Sequence, residues 1–183
     1  MTIYLLSKNK TQRNIDFKVF DENFNPVFRV LGNTGRKNDV LFVYDLSNTE
    51  LARIRQISVG LIPRFQLLHD DNYVASFSFN FGPLSDLIYI SHLNWIITGN
   101  IINGNYRIRY GSKKILSVSE IQLPEGDFNR LDVVLDNQAS VHVAIVALLN
   151  NWIYLKSKSW MKYFNPKFKV KYKLATKTLN NNK

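Results

Sequence analysis

Apolar and polar residues alternate along most of the chain as far as residue 135. A period of two sends successive side chains to opposite faces of a strand, so each alternating segment predicts a β-strand with one buried face. Turn-forming residues separate these segments at short intervals, which is typical of an antiparallel sandwich or barrel. We predict eleven or twelve strands, and eleven can be bounded: 15–19, 27–31, 40–44, 51–56, 65–68, 73–79, 87–90, 95–98, 106–110, 115–121 and 131–135.

Two early hairpins share one pattern. Asp21 and Asp45 each precede an aliphatic residue by six positions, and they precede Arg29 and Arg53, respectively, by eight. The two copies are 24 residues apart. Because a repeated hairpin unit is the building block of an up-and-down sheet, the repeat indicates an antiparallel meander.

Residues 138–154 depart from the period of two. They contain no glycine or proline and are apolar on nearly every side of a helix, so this helix must be buried all round. Its length of roughly 25 Å is close to the height of a barrel. A barrel of about twelve strands is too wide for its own side chains to fill. We therefore predict a mainly β fold, a closed antiparallel barrel around a central buried C-terminal helix at about 138–155.

These segments together resemble the LURP-one-related family, including its bacterial YxjI-like group. The resemblance covers about residues 12–155 and implies the tubby-like fold, a twelve-stranded barrel around a central helix. Relatives by fold are the tubby C-terminal domains, which bind phosphoinositides, and the phospholipid scramblases. The motifs that carry the resemblance are 16–32, 43–54, 95–100, 106–108, 115–119 and 139–149.

The net charge of +10 is unevenly distributed. From Lys156 onward there are nine lysines and no acidic residue, which leaves 15 basic and 14 acidic groups in residues 1–155. We therefore predict a barrel domain at 1–155 and a basic, aromatic extension at 156–183. In this extension 156–166 is predicted as a connector, 167–174 as strand-like because it alternates lysine with apolar residues, and the last residues as disordered.

The extension supplies the main candidates for binding an anion or a lipid. Lysines near an anionic membrane attract it, and tryptophan prefers the interface. The same residues could bind nucleic acid, or the strand-like part could pack on the barrel edge with its lysines solvated. We favour edge packing for 167–173 and regard 156–162 as freer to bind. The candidates are Lys156, Lys158, Trp160, Lys162, Lys167, Lys169, Lys171 and Lys173.

Four basic residues in the barrel are secondary candidates for an anion site. Arg36 and Lys37 follow a glycine-containing stretch that lacks the spacing of a phosphate-binding loop, which favours an ordinary loop between hairpins. Arg29 and Arg53 occupy matching hairpin positions. Outward-facing strand charges are the favoured interpretation of this pair over a shared anion pocket.

The sequence offers no catalytic constellation. It has no cysteine, which excludes disulfides, iron–sulfur clusters, thiolate zinc sites and cysteine nucleophiles. His69, His92 and His142 are not paired at metal-ligand spacing. We expect no cofactor and no metal, and we interpret His142 as a neutral core or rim residue with a backbone partner.

A non-enzymatic binding scaffold is therefore the function that we expect, engaging anionic phospholipid from the cytoplasmic side, at the inner face of the membrane. The longest apolar run, 143–149, is too short to span a bilayer, and the first residues do not form a secretory signal. A nucleic-acid- or ribosome-associated protein is the second hypothesis. An enzyme with a pocket at the barrel rim is the third.

Overall fold

Twelve antiparallel strands close into a barrel in the computed structural model of the chain. The structure describes residues 1–6, 14–60, 62–79, 87–101, 103–134 and 138–164, and within the helix it describes side chains as far as Asn151. The strands follow one another around the barrel, and β1 lies between β2 and β12. The elements are β1 Thr2–Leu6, β2 Asn14–Phe20, β3 Pro26–Asn33, β4 Val40–Tyr44, β5 Glu50–Ser58, β6 Arg64–His69, β7 Asn72–Ser78, β8 Leu87–Ile90, β9 Trp95–Asn100, β10 Asn105–Tyr110, β11 Lys113–Leu123, β12 Gly126–Val133 and α1 Ala139–Phe164.

The core lies between the inner faces of the strands and the first half of α1. Strand β2 is representative, because its exposed positions alternate with the buried Ile15, Phe17 and Val19. Every side chain from Val141 to Leu149 is buried, and α1 contacts β3, β4 and β5. A fully buried aliphatic side chain contributes about 1.5–3 kcal/mol to stability. The predicted barrel around a buried helix is confirmed.

Three features differ from the sequence-based expectation. The unpredicted β1 closes the barrel, because it pairs with β12 from Thr2 opposite Asp132 to Leu6 opposite Phe128, and with β2 on its other side. Strand β12 ends at Val133, so the predicted segment 131–135 captured only its end. The predicted helix end near 155 is wrong, because α1 continues to Phe164. The predicted strand at 167–174 and the disordered last residues lie outside the described residues.

The repeated hairpins have the same turn. Asp21 and Asp45 each accept hydrogen bonds of 2.8 Å, through Oδ1, from the backbone N–H groups two and four residues further on. The third residue after each aspartate has a positive φ, 61° at Phe24 and 62° at Asn48. The 24-residue repeat seen in the sequence is therefore a repeat of turn geometry.

Phe24 is the unusual member of this pair, because a bulky residue is rarely found in the left-handed region whereas asparagine tolerates it. Its ring stacks on Tyr4 with centroids 4.9 Å apart and meets the ring of Phe128 edge-on at 5.9 Å. Aromatic pairs of this kind contribute about 0.5–1.5 kcal/mol each beyond their burial. The contacts offset the backbone cost and cover the outside of β1 and β12.

The barrel has two distinct ends. We call the end with the turns 21–25 and 45–49 the turn end, since α1 begins there after β12. The opposite end carries the connection 34–39 between β3 and β4, and we call it the loop end. Asn151 donates a hydrogen bond from Nδ2 to Oγ1 of Thr34, so α1 crosses the barrel and reaches the loop end by residue 151.

Candidate functional site

The connection 34–39 at the loop end is held by hydrogen bonds to two side chains, one of them buried. The Oε1 atom of the buried Gln56 accepts a hydrogen bond of 2.8 Å from the backbone N–H of Gly35. The carboxylate of Asp39 accepts one of 2.9 Å from the backbone N–H of Arg36. Arg36 and Lys37 are exposed at the tip of this fixed loop. The loop therefore holds two cations at the barrel end.

Helix α1 leaves the barrel beside this loop. It runs thirteen residues past Asn151 to Phe164, which corresponds to about 20 Å. This stretch carries Lys156, Lys158, Trp160 and Lys162. The fold therefore brings these four candidates to the same end of the barrel as Arg36 and Lys37. The remaining candidates lie outside the described residues: Lys167, Lys169, Lys171 and Lys173.

Arg29 and Arg53 are placed differently, on the outer faces of β3 and β5. Arg29 pairs with Asp16 at 3.0 Å, and hydrogen bonding to this carboxylate raises the pKa of the arginine. Arg53 pairs with Glu50 at 3.4 Å and with Asp71. Both guanidinium groups therefore already have anionic partners, and an anion-binding role for either stays a prediction.

The turn end contains a buried histidine. The imidazole of His142 lies parallel to the indole of Trp95, with centroids 5.0 Å apart and an interplanar angle of 1°. Burial lowers the pKa of His142 to about 4, and the backbone at Gln138 opposes this shift without cancelling it. Neither ring nitrogen meets hydrogen-bond geometry with a partner in the described part of the chain. His142 is thus a neutral core residue as predicted, and the backbone of Gln138 is its partner, although this contact falls short of full hydrogen-bond geometry.

A groove on the outer wall of β9–β12 is a further candidate that the sequence did not reveal. The cross-strand register places Thr98 opposite Arg107, Arg107 opposite Ser117, and Ser117 opposite Asp132. The groove has a volume of about 490 Å³. Arg107 is exposed between the buried Tyr106 and Ile108, so its side chain faces outward into the groove.

Neither a metal site nor a membrane-spanning helix is found within the described ranges. No group of three or more His, Asp or Glu side chains there is arranged to hold a metal ion. The helix that the structure describes is not apolar enough over its length to cross a bilayer.

The architecture defines a class of protein: a closed twelve-stranded antiparallel barrel threaded by one apolar helix, with a basic stretch leaving one end. The model of the LURP-one-related family matches residues 1–150. The chain belongs to the LURP-one-related family.

Two relatives support this assignment. The uncharacterized protein YxjI of Bacillus subtilis (strain 168) is 25% identical over 138 residues, which cover 75% of this chain and 85% of YxjI. The crystal structure of an Arabidopsis thaliana protein matches the barrel with a TM-score of 0.56 and 14% identity, covering 82% of this chain and 90% of the plant protein. At this identity the plant structure supports the fold alone.

Proposed function

We propose that this protein is a non-enzymatic scaffold that binds anionic phospholipid at the inner face of the membrane, through the loop end of its barrel. One observation carries the proposal: α1 continues thirteen residues past the barrel mouth with three lysines and Trp160, beside the loop that presents Arg36 and Lys37. Cationic and aromatic groups at one end of a nearly neutral barrel would orient the molecule toward an anionic surface.

The second half of α1 carries lysines and aromatic residues at helical spacing. At about 100° per residue, the aromatic positions 152, 160, 163 and 164 fall within about a third of a turn. Lys158 and Lys162 fall on the opposite side of the same stretch, together with Tyr154, whereas Lys156 falls among the aromatic positions. Lysines attract an anionic surface and tryptophan prefers its interface, so a stretch that carries both is suited to contact with a membrane.

The test measures binding of the full chain to phosphatidylcholine vesicles with and without phosphatidylserine, at low salt. The first variant combines Lys156→Gln, Lys158→Gln and Lys162→Gln. Each lysine near an anionic surface is worth about 1 kcal/mol, so we expect affinity to fall by roughly a hundredfold.

A matched control combines Lys18→Gln, Lys113→Gln and Lys114→Gln. These three exposed lysines lie on β2 and at the start of β11, away from the loop end, and their loss changes net charge by the same amount. We expect the control to bind nearly as well as the parent. Equal losses in both variants, or no binding by the parent chain, would contradict the proposal.

Nucleic-acid binding is the second candidate function. The nine lysines from Lys156 onward, interspersed with aromatic residues, are suited to phosphate contacts and base stacking. This alternative predicts that a single-stranded RNA oligomer is shifted at low ionic strength, with an affinity that falls steeply as salt is added. An RNA shift that persists in the chain while phosphatidylserine vesicles remain unbound would favour it over the lipid proposal.

A further inference from the structure

We propose that the outer groove of β9–β12 binds the phosphate group of a small, water-soluble phosphomonoester, with Arg107 as the anchoring residue. The inference goes beyond the proposed lipid function, because it concerns the barrel wall and none of the residues at the loop end. It rests on the shape of the groove, on the unpaired charge at its centre and on the hydroxyl groups at either side.

The groove exists because short side chains occupy neighbouring outward positions. Thr98, Ser117 and Ser119 leave space between the longer side chains of β10 and β12. The volume of about 490 Å³ lies within the range typical of small-molecule sites and exceeds the volume of a single phosphate group. The ligand therefore has room for a polar body in addition to its phosphate.

Arg107 provides the charge that an anion would meet. It has no hydrogen bond or ion pair with any residue that the structure describes, whereas Arg29 and Arg53 on other parts of the outer wall, and Arg130 on β12, each contact a carboxylate. A guanidinium group presents its donors in a planar fork that can bind two phosphate oxygens at once. Arg107 is thus available to a ligand without breaking a contact in the barrel.

Hydroxyl groups flank Arg107 on both neighbouring strands. Thr98 of β9 and Ser117 of β11 lie directly opposite it. Residues opposite each other in antiparallel strands have Cβ atoms about 4.5–5.5 Å apart, so the guanidinium of Arg107 can share one anion with the hydroxyl of either neighbour. Thr98 and Ser117 are themselves two strands, or about 10 Å, apart, so only one of them contacts the phosphate. The guanidinium fork and one hydroxyl together supply donors for the three terminal oxygens of a phosphomonoester.

Asp132 limits what else the ligand can be. Its Oδ1 atom accepts from Nε of Arg130 at 3.0 Å and from the hydroxyl of Thr2 at 3.3 Å, so its charge is largely offset. It lies two strands from Arg107, about 10 Å away. At this distance the carboxylate can accept a hydrogen bond from the ligand body without facing the phosphate, which favours a hydroxylated phosphomonoester.

In the experiment, the full chain is titrated with inorganic phosphate and with glycerol 3-phosphate. Binding is measured by calorimetry or by ligand-observed NMR. We expect saturable binding that is tighter for glycerol 3-phosphate, because its hydroxyls occupy the rest of the groove. Arg107→Ala should weaken binding at least about tenfold, since it removes a charge-assisted contact. Arg107→Lys should restore part of the affinity, because it keeps the charge and loses the fork.

Arg55→Ala is the matched control. Arg55 is also an exposed strand arginine that lacks an ion pair with the described residues, but it lies on β5 and does not line the groove. The Arg55→Ala variant should bind inorganic phosphate and glycerol 3-phosphate as tightly as the parent does. The proposal is overturned if neither probe binds saturably, or if Arg107→Ala and Arg55→Ala weaken binding equally.

A second arm separates a soluble ligand from a lipid headgroup. The parent and Arg107→Ala are compared on vesicles that contain phosphatidic acid. Unchanged vesicle binding, together with lost glycerol 3-phosphate binding, supports the soluble ligand. Vesicle binding that depends on Arg107, with no binding of glycerol 3-phosphate, overturns it. The lysine variants of α1 test the lipid proposal separately, so either proposal can fail alone.

Discussion

The two ends of the barrel are closed by different chemistry. At the turn end Trp95 and His142 stack in the core, and the histidine makes no hydrogen bond with the described residues. At the loop end the closing contacts are directional hydrogen bonds with the connection 34–39, in which Gln56 accepts from Gly35 and Asn151 donates to Thr34. The turn end is closed by side-chain packing alone, between residues of the barrel and of α1. Hydrogen bonding at the loop end fixes the position of the loop that carries Arg36 and Lys37.

This difference predicts how strongly substitutions at each end lower the free energy of unfolding. Removing a large buried ring forfeits burial and leaves a cavity, whereas removing one hydrogen-bonding side chain costs less. We therefore expect stability to depend most on the turn end and the position of exposed charges to depend on the loop end.

Trp95→Ala should have the largest effect, a loss of about 3–5 kcal/mol of unfolding free energy, because the indole is 4% exposed and stacks on His142. Urea denaturation measures this loss of unfolding free energy. Tyr89→Ala is the control, because this ring on β8 is 50% exposed and should cost under about 1 kcal/mol. Equal losses in the two variants would show that the turn end is not sealed by packing.

His142 should make the turn end sensitive to acid. Its pKa is lowered from 6.5 to about 4 in the folded chain, so between these values the unfolded chain binds more protons. Unfolding free energy should fall as the pH drops from 6.5 to 4, by a total of about 3 kcal/mol from this residue. The variant His142→Phe keeps an aromatic ring against Trp95 but has no titrating imidazole, so its unfolding free energy should not fall in this way. Urea denaturation of both proteins from pH 7.5 to 4 tests this pH dependence. If the unfolding free energies of the two proteins fell equally with pH, His142 would not be the source of the acid sensitivity.

Gln56→Leu should cost about 0.5–1.5 kcal/mol, because it removes the hydrogen bond that the N–H of Gly35 donates to the buried Gln56 side chain. Amide exchange at Gly35 should quicken along with the loss in urea stability. Gln66→Leu on β6 is the control, since Gln66 is half-buried and makes no side-chain hydrogen bond to a described residue. Unchanged exchange at Gly35 in Gln56→Leu would argue against a fixed loop.

Asn151→Leu should have the smallest effect, about 1 kcal/mol or less. The substitution removes the hydrogen bond to Thr34, but it also removes a buried Oδ1 atom that has no partner in the described structure. A double-mutant cycle with Thr34→Val isolates the pair and should give a coupling of about 0.5–1.5 kcal/mol. A coupling near zero would mean that the helix and the loop are not energetically linked.

The sequence was most informative where each strand carries its own pattern. The bounds predicted for β4 and β8 match the structure, since apolar residues and turn residues define them locally. Strand β1 was missed because its Thr-Ile-Tyr-Leu-Leu has weak alternation, and its partner β12 is more than a hundred residues away. Gly126 and Asn129 are poor strand formers, so the start of β12 depends on pairing with β11 and β1.

The end of α1 could have been found. No glycine or proline interrupts the chain from residue 138 until Pro166, and helices usually end before a proline. The lysines of 156–162 were instead interpreted as a connector because their charge contrasts with the apolar stretch before them. The groove around Arg107 could not have been found, because it is built from the registers of β9–β12 and sequence alternation does not specify which residues lie opposite.

Closure by β1 has a consequence for folding. The first strand of the barrel finds its second partner only after residues 126–133 have been synthesised, so a nascent barrel keeps two unpaired edges until all twelve strands are made. Contacts between such distant segments are slow to form, and exposed strand edges attract other chains in the meantime. The step most exposed to misassembly is therefore the last one, the meeting of the two ends of the sheet around α1.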